Sequence, residues 1–448
     1  MMNRRHFTRM GAMALGGLAL PGGPKNLPRG LRYGGRQELR VDGTRLIERM
    51  RALEAFGRNA AGGIDRVAFS DANIEALDWV AGHLGAAGFQ VGIDLAGNLI
   101  ARKAGRDPSL PPLMFGSHID SVPGGGNFDG QVGSMAALEA ATRLAEVGHR
   151  TRHPLEVAIF SNEEGGKTGS RILAGEFLPF ERDVQTASGY TIGEGLRRLG
   201  GDPDRLADAR REPGSIAAFL ELHIEQGAVM ETDDIDIGVV EGIVGIMRWN
   251  VAVEGMTNHA GTTPMDRRQD AMVGAARFID MVHRTARGMP GRQVATVGRL
   301  AAEPGVPNVI PGRAVLSLEI RDLSMAGIEG VFEAVRQRSE RIARETGVTF
   351  AFARFYTSRA APTDPRLRDL FAASARDLGL VSRRMPSGAG HDAQSIALLA
   401  PVGMIFVPSI GGISHAPEER TEDSDIVNGA NVLLLTLLAV DETGLAGD

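Results

Sequence analysis

Four times along this chain a short apolar run leads into a histidine or a carboxylate pair, with glycines close by. Leu113, Met114 and Phe115 lead to His118. Leu155 to Phe160 leads to Glu163, Glu164, Gly165 and Gly166, and Ile216 to Leu222 leads to His223. Val402 to Val407 leads through a glycine loop to His415. Apolar runs of this length, bounded by turn residues, read as strands buried on both faces. Chemistry-bearing side chains at the carboxyl ends of such strands are what an open α/β sheet presents along one rim. The recurrence predicts an α/β fold, with a mixed sheet flanked by helices and a site along that rim.

Between Leu113 and Leu144 the pattern is densest. Pro123-Gly124-Gly125-Gly126-Asn127 turns the chain sharply after His118, because glycine tolerates positive φ and Asn and Pro favour turns. Asp129 then precedes an Ala- and Leu-rich helix expected over 131–146, a favourable place for a carboxylate. Glu163 and Glu164 are adjacent, so their side chains diverge: one can bind a metal while the other faces a substrate as a base. The chain has no cysteine, so any metal must be held by His, Asp and Glu. Such N/O ligation suits two divalent ions of the Zn, Mn, Co or Ni kind.

At 448 residues the chain exceeds one typical core, and 43% hydrophobic with 23% charged is an ordinary globular balance. A net charge of -6 without basic runs excludes a nucleic-acid partner. Arg4-Arg5 and Phe7 ahead of an apolar Met10 to Leu20 resemble a twin-arginine export signal, so residues 1–36 are expected to be signal and linker. That apolar run is too short for a stable membrane anchor. An exported, periplasmic location is the expectation, with a cytoplasmic one as the alternative. Helices are expected after Asp42 and from Asp71 as N-cap, and paired strands over 89–93 and 98–102. Residues 243–357 give the order strand, helix, strand, strand, helix, strand of a ferredoxin-like α+β unit. It reads as an insertion into a discontinuous catalytic domain, 37–242 and 358–448, whose remaining helices are expected over 365–378 and 392–399. His391, in Gly388-Ala389-Gly390-His391-Asp392, is expected to support the site and not to ligate.

The ordered motifs GSHIDSVPGGGNFDG, SNEEGG, HIEQG, NHAGTTPMDRRQDA, PNVIPG, EIRD, GAGHDA and GGISHAPEE resemble the dinuclear-metal amidohydrolases of the N-carbamoyl-L-amino-acid hydrolase and allantoate amidohydrolase group. The resemblance spans about residues 40 to 440. It implies that His118, Asp129 and His223 surround one ion, and Asp129, Glu164 and His415 the other. Glu163 matches the general base and His259 a catalytic group; Asn308 and Arg321 match substrate-gripping residues, with Arg248 and Gln226 as further candidates. It also implies a homodimer through the inserted lid domain, with His259 reaching the neighbouring protomer's site. The expected reaction is hydrolysis of the ureido C–N bond of an N-carbamoyl-L-amino acid that carries a carboxylate. Allantoate or another amide, as in the aminoacylases, is the alternative substrate, and a metal-dependent binding protein without turnover is the alternative class.

Overall fold

A computed structural model describes residues 39–445, and the chain from Arg40 onward forms one compact unit. The export signal expected in residues 1–36 lies outside the described residues.

The main sheet has nine strands. Along it run Gln90–Ile93, Leu99–Lys103, Leu155–Phe160, Leu113–His118, Ala218–Ile224, Val402–Val407, Ile237–Ile243 and Ala361–Pro362, with Ser382–Ser387 also paired to Ile237–Ile243. The four strands of the recurring motif are neighbours at its centre, parallel to one another. All of their residues are buried, which is why they read as unbroken apolar runs. Antiparallel partners at both ends make the sheet mixed. The strand carrying His223 runs through Ile224, beyond its expected end at Leu222, so His223 lies inside the strand. Because the central strands are parallel, their carboxyl ends fall on one side, and His118, the Glu163–Glu164 turn and His223 emerge together.

Helix Gln131–Glu146 packs on the sheet as expected. Its largest neighbour, Asp423–Thr443, was not expected from the sequence. That helix is long and apolar enough to cross a membrane by length and composition, yet it is mostly buried against Gln131–Glu146, Pro365–Asp377 and Val402–Val407. Burial on most sides removes the polar stripe that marks a surface helix. The strand Ser382–Ser387 is a second addition, since Arg383, Arg384 and Pro386 have no strand signature and pairing with Ile237–Ile243 imposes the conformation. The helix Asp71–Ala86 is capped by Ser70, not Asp71: the Ser70 hydroxyl accepts from Asn73 N, and Asp71 takes the first helical position.

A separate sheet of four antiparallel strands lies within 245–358, in the order Thr349–Ser358, Gly245–Glu254, Arg313–Asp322, Val294–Glu303. With helices Ala271–Gly288 and Met325–Thr346 this is the ferredoxin-like sequence of elements. One face packs on those helices through its own core of Trp249, Val251, Phe278, Leu316, Leu318 and Val335. The opposite face carries Arg248, Glu319 and Arg321.

Candidate metal centre

Asp129 lies at the middle of the strand-end cluster. Its Oδ1 is 3.7 Å from His118 Nε2 and 3.1 Å from His223 Nε2, and its Oδ2 is 3.1 Å from His415 Nε2. His415 Nε2 is also 3.5 Å from Glu164 Oε2. Two donor sets, His118–Asp129–His223 and Asp129–Glu164–His415, therefore share one carboxylate, with the donor atoms of each within 4.8 Å of one another. Gly130, with φ 79°, makes room for this packing, because a Cβ there would stand 2.2 Å from His118 Nε2.

Neighbouring carbonyls orient two of the imidazoles. His118 Nδ1 lies 3.1 Å from the Asp120 carbonyl oxygen and His223 Nδ1 3.0 Å from that of Ile224. A carbonyl only accepts, so Nδ1 carries a proton in each ring and Nε2 is the atom turned toward Asp129. His118 Nε2 is buried and has no hydrogen-bond partner among the described residues. An orphaned ring nitrogen beside a buried carboxylate, within a set of imidazole and carboxylate donors, fits a divalent ion.

The electrostatics ask for positive charge at the same place. Burial opposes a charged imidazole at His118 and His223, but the surrounding carboxylates overcome it, holding His118 well above its usual range and His223 at about 9. The hydrogen bond to Asp129 is the leading reason that His415 rises to about 9. Burial pushes Glu163 up to about 8 and Glu164 to about 7. It would raise Asp129 too, but His223 and the other imidazoles hold that carboxyl well below the ordinary range.

Glu163 stands outside both donor sets, with Oε2 3.8 Å from His118 Nε2. The turn that carries it is anchored by Asp120, whose carboxylate accepts from Glu163 N at 3.3 Å and Glu164 N at 3.2 Å. Sequence reading passed over Asp120, although its place one residue beyond His118-Ile119 was a usable signal. It also passed over Glu419 as a site residue; this carboxylate accepts from the backbones of Phe128, Asp129 and His415 and from the Ser414 hydroxyl. Lys167, a third omission, follows the glutamate turn and donates to Gln394 Oε1. Of six non-glycine residues with positive φ among those described, Asn162, Lys167, Gln226 and His415 border this cluster. Backbone strain gathers where function is built.

The remaining expected residues fall into two groups. Gln226 donates through Nε2 to Asp129 Oδ2, which places it on the shared carboxylate. His391 packs edge-on against the His223 ring at 4.4 Å between centroids, in the supporting position expected of it. Glu221, His223 and His391 form a third possible donor set, but Glu221 already accepts from Ser117 Oγ and Ala393 N, and His391 Nε2 is paired with Ser387 Oγ. That set is satisfied by protein hydrogen bonds.

The second group lies on the four-stranded layer and its extension. Arg248 and Arg321 both bond to Glu319, at 2.6 and 2.7 Å, and Arg321 Nη1 donates to the Gly388 carbonyl at 2.6 Å. Arg321 thus reaches the loop that leads to His391. His259 and Asn308 share an exposed two-stranded ribbon in which His259 pairs with Val309 and Ala260 N donates to Asn308 O. His259 Nδ1 accepts from Gly261 N at 2.9 Å and Thr262 N at 3.2 Å, so its proton sits on Nε2. None of the hydrogen bonds of His259 or Asn308 reaches the Asp129 cluster.

The chain is similar to known proteins along most of its length. Residues 114–439 match the model of peptidase family M20/M25/M40. The chain is 39% identical to an N-carbamoyl-L-amino acid amidohydrolase of Geobacillus stearothermophilus, over 89% of this chain and 98% of that protein. It is 33% identical to the allantoate amidohydrolase of Escherichia coli, over 86% of this chain and 95% of that one. A hydantoinase/carbamoylase family amidase from Burkholderia multivorans superposes with a TM-score of 0.82 at 35% identity, over 90% of this chain and 98% of that one. With the strand-end cluster set on the same fold, this chain belongs to peptidase family M20/M25/M40, in its amidohydrolase group.

Proposed function

We propose that this chain hydrolyses the ureido C–N bond of N-carbamoyl-L-amino acids, R–NH–CO–NH2 plus water giving R–NH2, ammonia and CO2. The observation that carries the reading is Asp129 shared between two donor sets, with Glu163 beside but outside both. His118, Asp129 and His223 would hold one divalent ion, and Asp129, Glu164 and His415 the other. When bound, such ions would polarise a carbonyl oxygen and acidify a water, two aids that a weakly electrophilic ureido group requires.

The chain's own side chains supply the proton movements and the grip. Glu163 takes a proton from the attacking water and returns it to the leaving nitrogen. Burial lifts its proton affinity, to about 8 without ions, and two cations beside it would draw that back toward the ionised form a base needs. His259 offers an Nε2–H donor for the carbonyl oxygen as charge develops there. Arg321 carries a planar fork that matches the amino-acid carboxylate, with Arg248 and Asn308 on the same side of the substrate. For these groups to meet Glu163, the four-stranded layer must act as a lid, and the ribbon bearing His259 reaches the site of a second protomer in a homodimer. Arg4-Arg5 and the apolar run after them would export the enzyme to the periplasm.

A panel on metal-reconstituted enzyme tests the reading. Ammonia and free amino acid from N-carbamoyl-L-amino acids, and no free amino acid from N-acetyl amino acids, are expected. Allantoate as the preferred substrate would move the assignment to the second reading, which the likeness to the Escherichia coli enzyme favours. Hydrolysis of neither ureide would overturn both.

A further inference from the structure

His415 is the weakest-held member of the donor cluster. Its side chain is 49% exposed, its backbone sits at φ 58°, and it comes from a loop that follows the last sheet strand instead of from the strand itself. Packing alone cannot fix such a side chain, and left-handed backbone costs a non-glycine residue energy that something must offset.

The geometry points to Glu419 as the positioning residue that holds Asp129 and His415 at ion-binding distance from each other. Its carboxylate is 3% exposed and takes four donors, two on each oxygen. Oε1 accepts from Phe128 N and Asp129 N at 3.0 Å each, and Oε2 accepts from Ser414 Oγ at 2.9 Å and His415 N at 3.1 Å. One side chain therefore ties the backbones of two donors that stand far apart in the sequence, at positions 129 and 415. The single Ser414 hydroxyl proton also faces Asp129 Oδ2, at 3.0 Å, so the two carboxylates share it. The glycine at 126 belongs to the same device, since a Cβ there would stand 2.3 Å from Glu419 Oε1.

All four partners are donors, so only a carboxylate satisfies them together. An amide in its place keeps one oxygen for Phe128 and Asp129, and its NH2 can face Ser414, whose hydroxyl turns to accept. His415 N–H then loses its acceptor. Glu419→Gln should accordingly loosen the Asp129–Glu164–His415 set and spare the His118–Asp129–His223 set.

This inference rests on the reading that the cluster holds two ions, and metal-free full-length protein titrated with Mn2+ or Zn2+ separates the two. Calorimetry and elemental analysis should give two ions for the wild type. In Glu419→Gln one step weakens by about 10- to 100-fold, the range for losing an outer-sphere partner, while the other step stays near its original value. His415→Ala marks which step that is. A purely structural role would lower the melting temperature of the metal-free form and leave the metal-induced rise intact; a positioning role shrinks the rise. If Glu419→Gln does not fold, Ser414→Ala, which removes one of the four donors, should weaken the same step by a smaller factor. Two ions bound with unchanged constants in the folded variant overturn the role of Glu419. A wild type that takes up fewer than two ions overturns the metal-centre reading instead.

Discussion

The donor cluster and the face of the four-stranded layer carry the two halves of the proposed chemistry, and they are built differently. Around Asp129 most donors are buried and held from behind by their neighbours. Asp120 lies under the glutamate turn, backbone carbonyls stand behind His118 and His223, and Glu419 stands behind His415. On the layer, Arg248 and Arg321 hold each other through Glu319, while His259 and Asn308 stand on an exposed ribbon. The ion-binding half is preorganised, and the recognition half is assembled from side chains that can exchange partners. A site that must strengthen its contacts as the reaction proceeds gains from such a division, because rigid donors stabilise developing charge at no reorganisation cost while movable ones admit the substrate.

Acid should break the first half most severely. In the metal-free protein His223 and His415 titrate at about 9, so both bind protons at neutral pH that an ion must displace. Metal binding then releases protons, and affinity falls as pH drops below those values, by about tenfold per unit for each proton displaced. With one of these protons displaced at each ion, each apparent dissociation constant should rise about 10²-fold between pH 8 and pH 6. Calorimetry in buffers of different ionisation enthalpy counts the protons; a pH-independent affinity would mean that the imidazoles are not the ligands.

Glu163→Gln should leave ion stoichiometry intact and lower kcat by about 10²- to 10⁴-fold, the usual share of a general acid–base group. The variant sharpens the contrast within the cluster itself, between a carboxylate that binds and its neighbour that moves protons. Full turnover in the amide would remove the assigned base.

The rim of the parallel sheet was legible because burial on both faces leaves a strand no option but an apolar run, and each run ended at chemistry. His118, Glu163, Glu164 and His223 were therefore readable from local pattern. Asp129 and His415 were singled out by the same pattern, at a helix start and in a glycine loop, but their grouping around two ions needed the ordered motifs, since each stands on a loop whose path only the tertiary structure fixes. What escaped was the support. Glu419 looks like any surface carboxylate in a polar loop, and its role exists only because the chain brings Phe128 and Asp129 beside it. The helix Asp423–Thr443 escaped for the opposite reason: burial on most sides erased the period that identifies a helix. On the layer, the register that puts Arg248 opposite Glu319 was not readable, because antiparallel pairing depends on turns between distant segments.

His259 offers the finest test of the contrast, since its tautomer is fixed although its ribbon is exposed. Two backbone N–H groups hold Nδ1 as an acceptor, which leaves Nε2–H free to donate. His259→Ala should keep both ions and the metal-induced rise in melting temperature, and lower kcat by about 10²- to 10³-fold, the scale for one lost oxyanion donor. Where that donor acts can be read by mixing. If the ribbon serves the partner's site, dimers reassembled from Glu163→Gln and His259→Ala protomers each contain one site with an intact Glu163 and an intact His259. Each variant alone lacks one of the two in every site. Activity that returns on mixing and follows the fraction of mixed dimers is the expected result. Mixtures that never exceed the two variants measured separately would place His259 in its own protomer's site, and the ribbon would then have to reach Glu163 by closure within one chain.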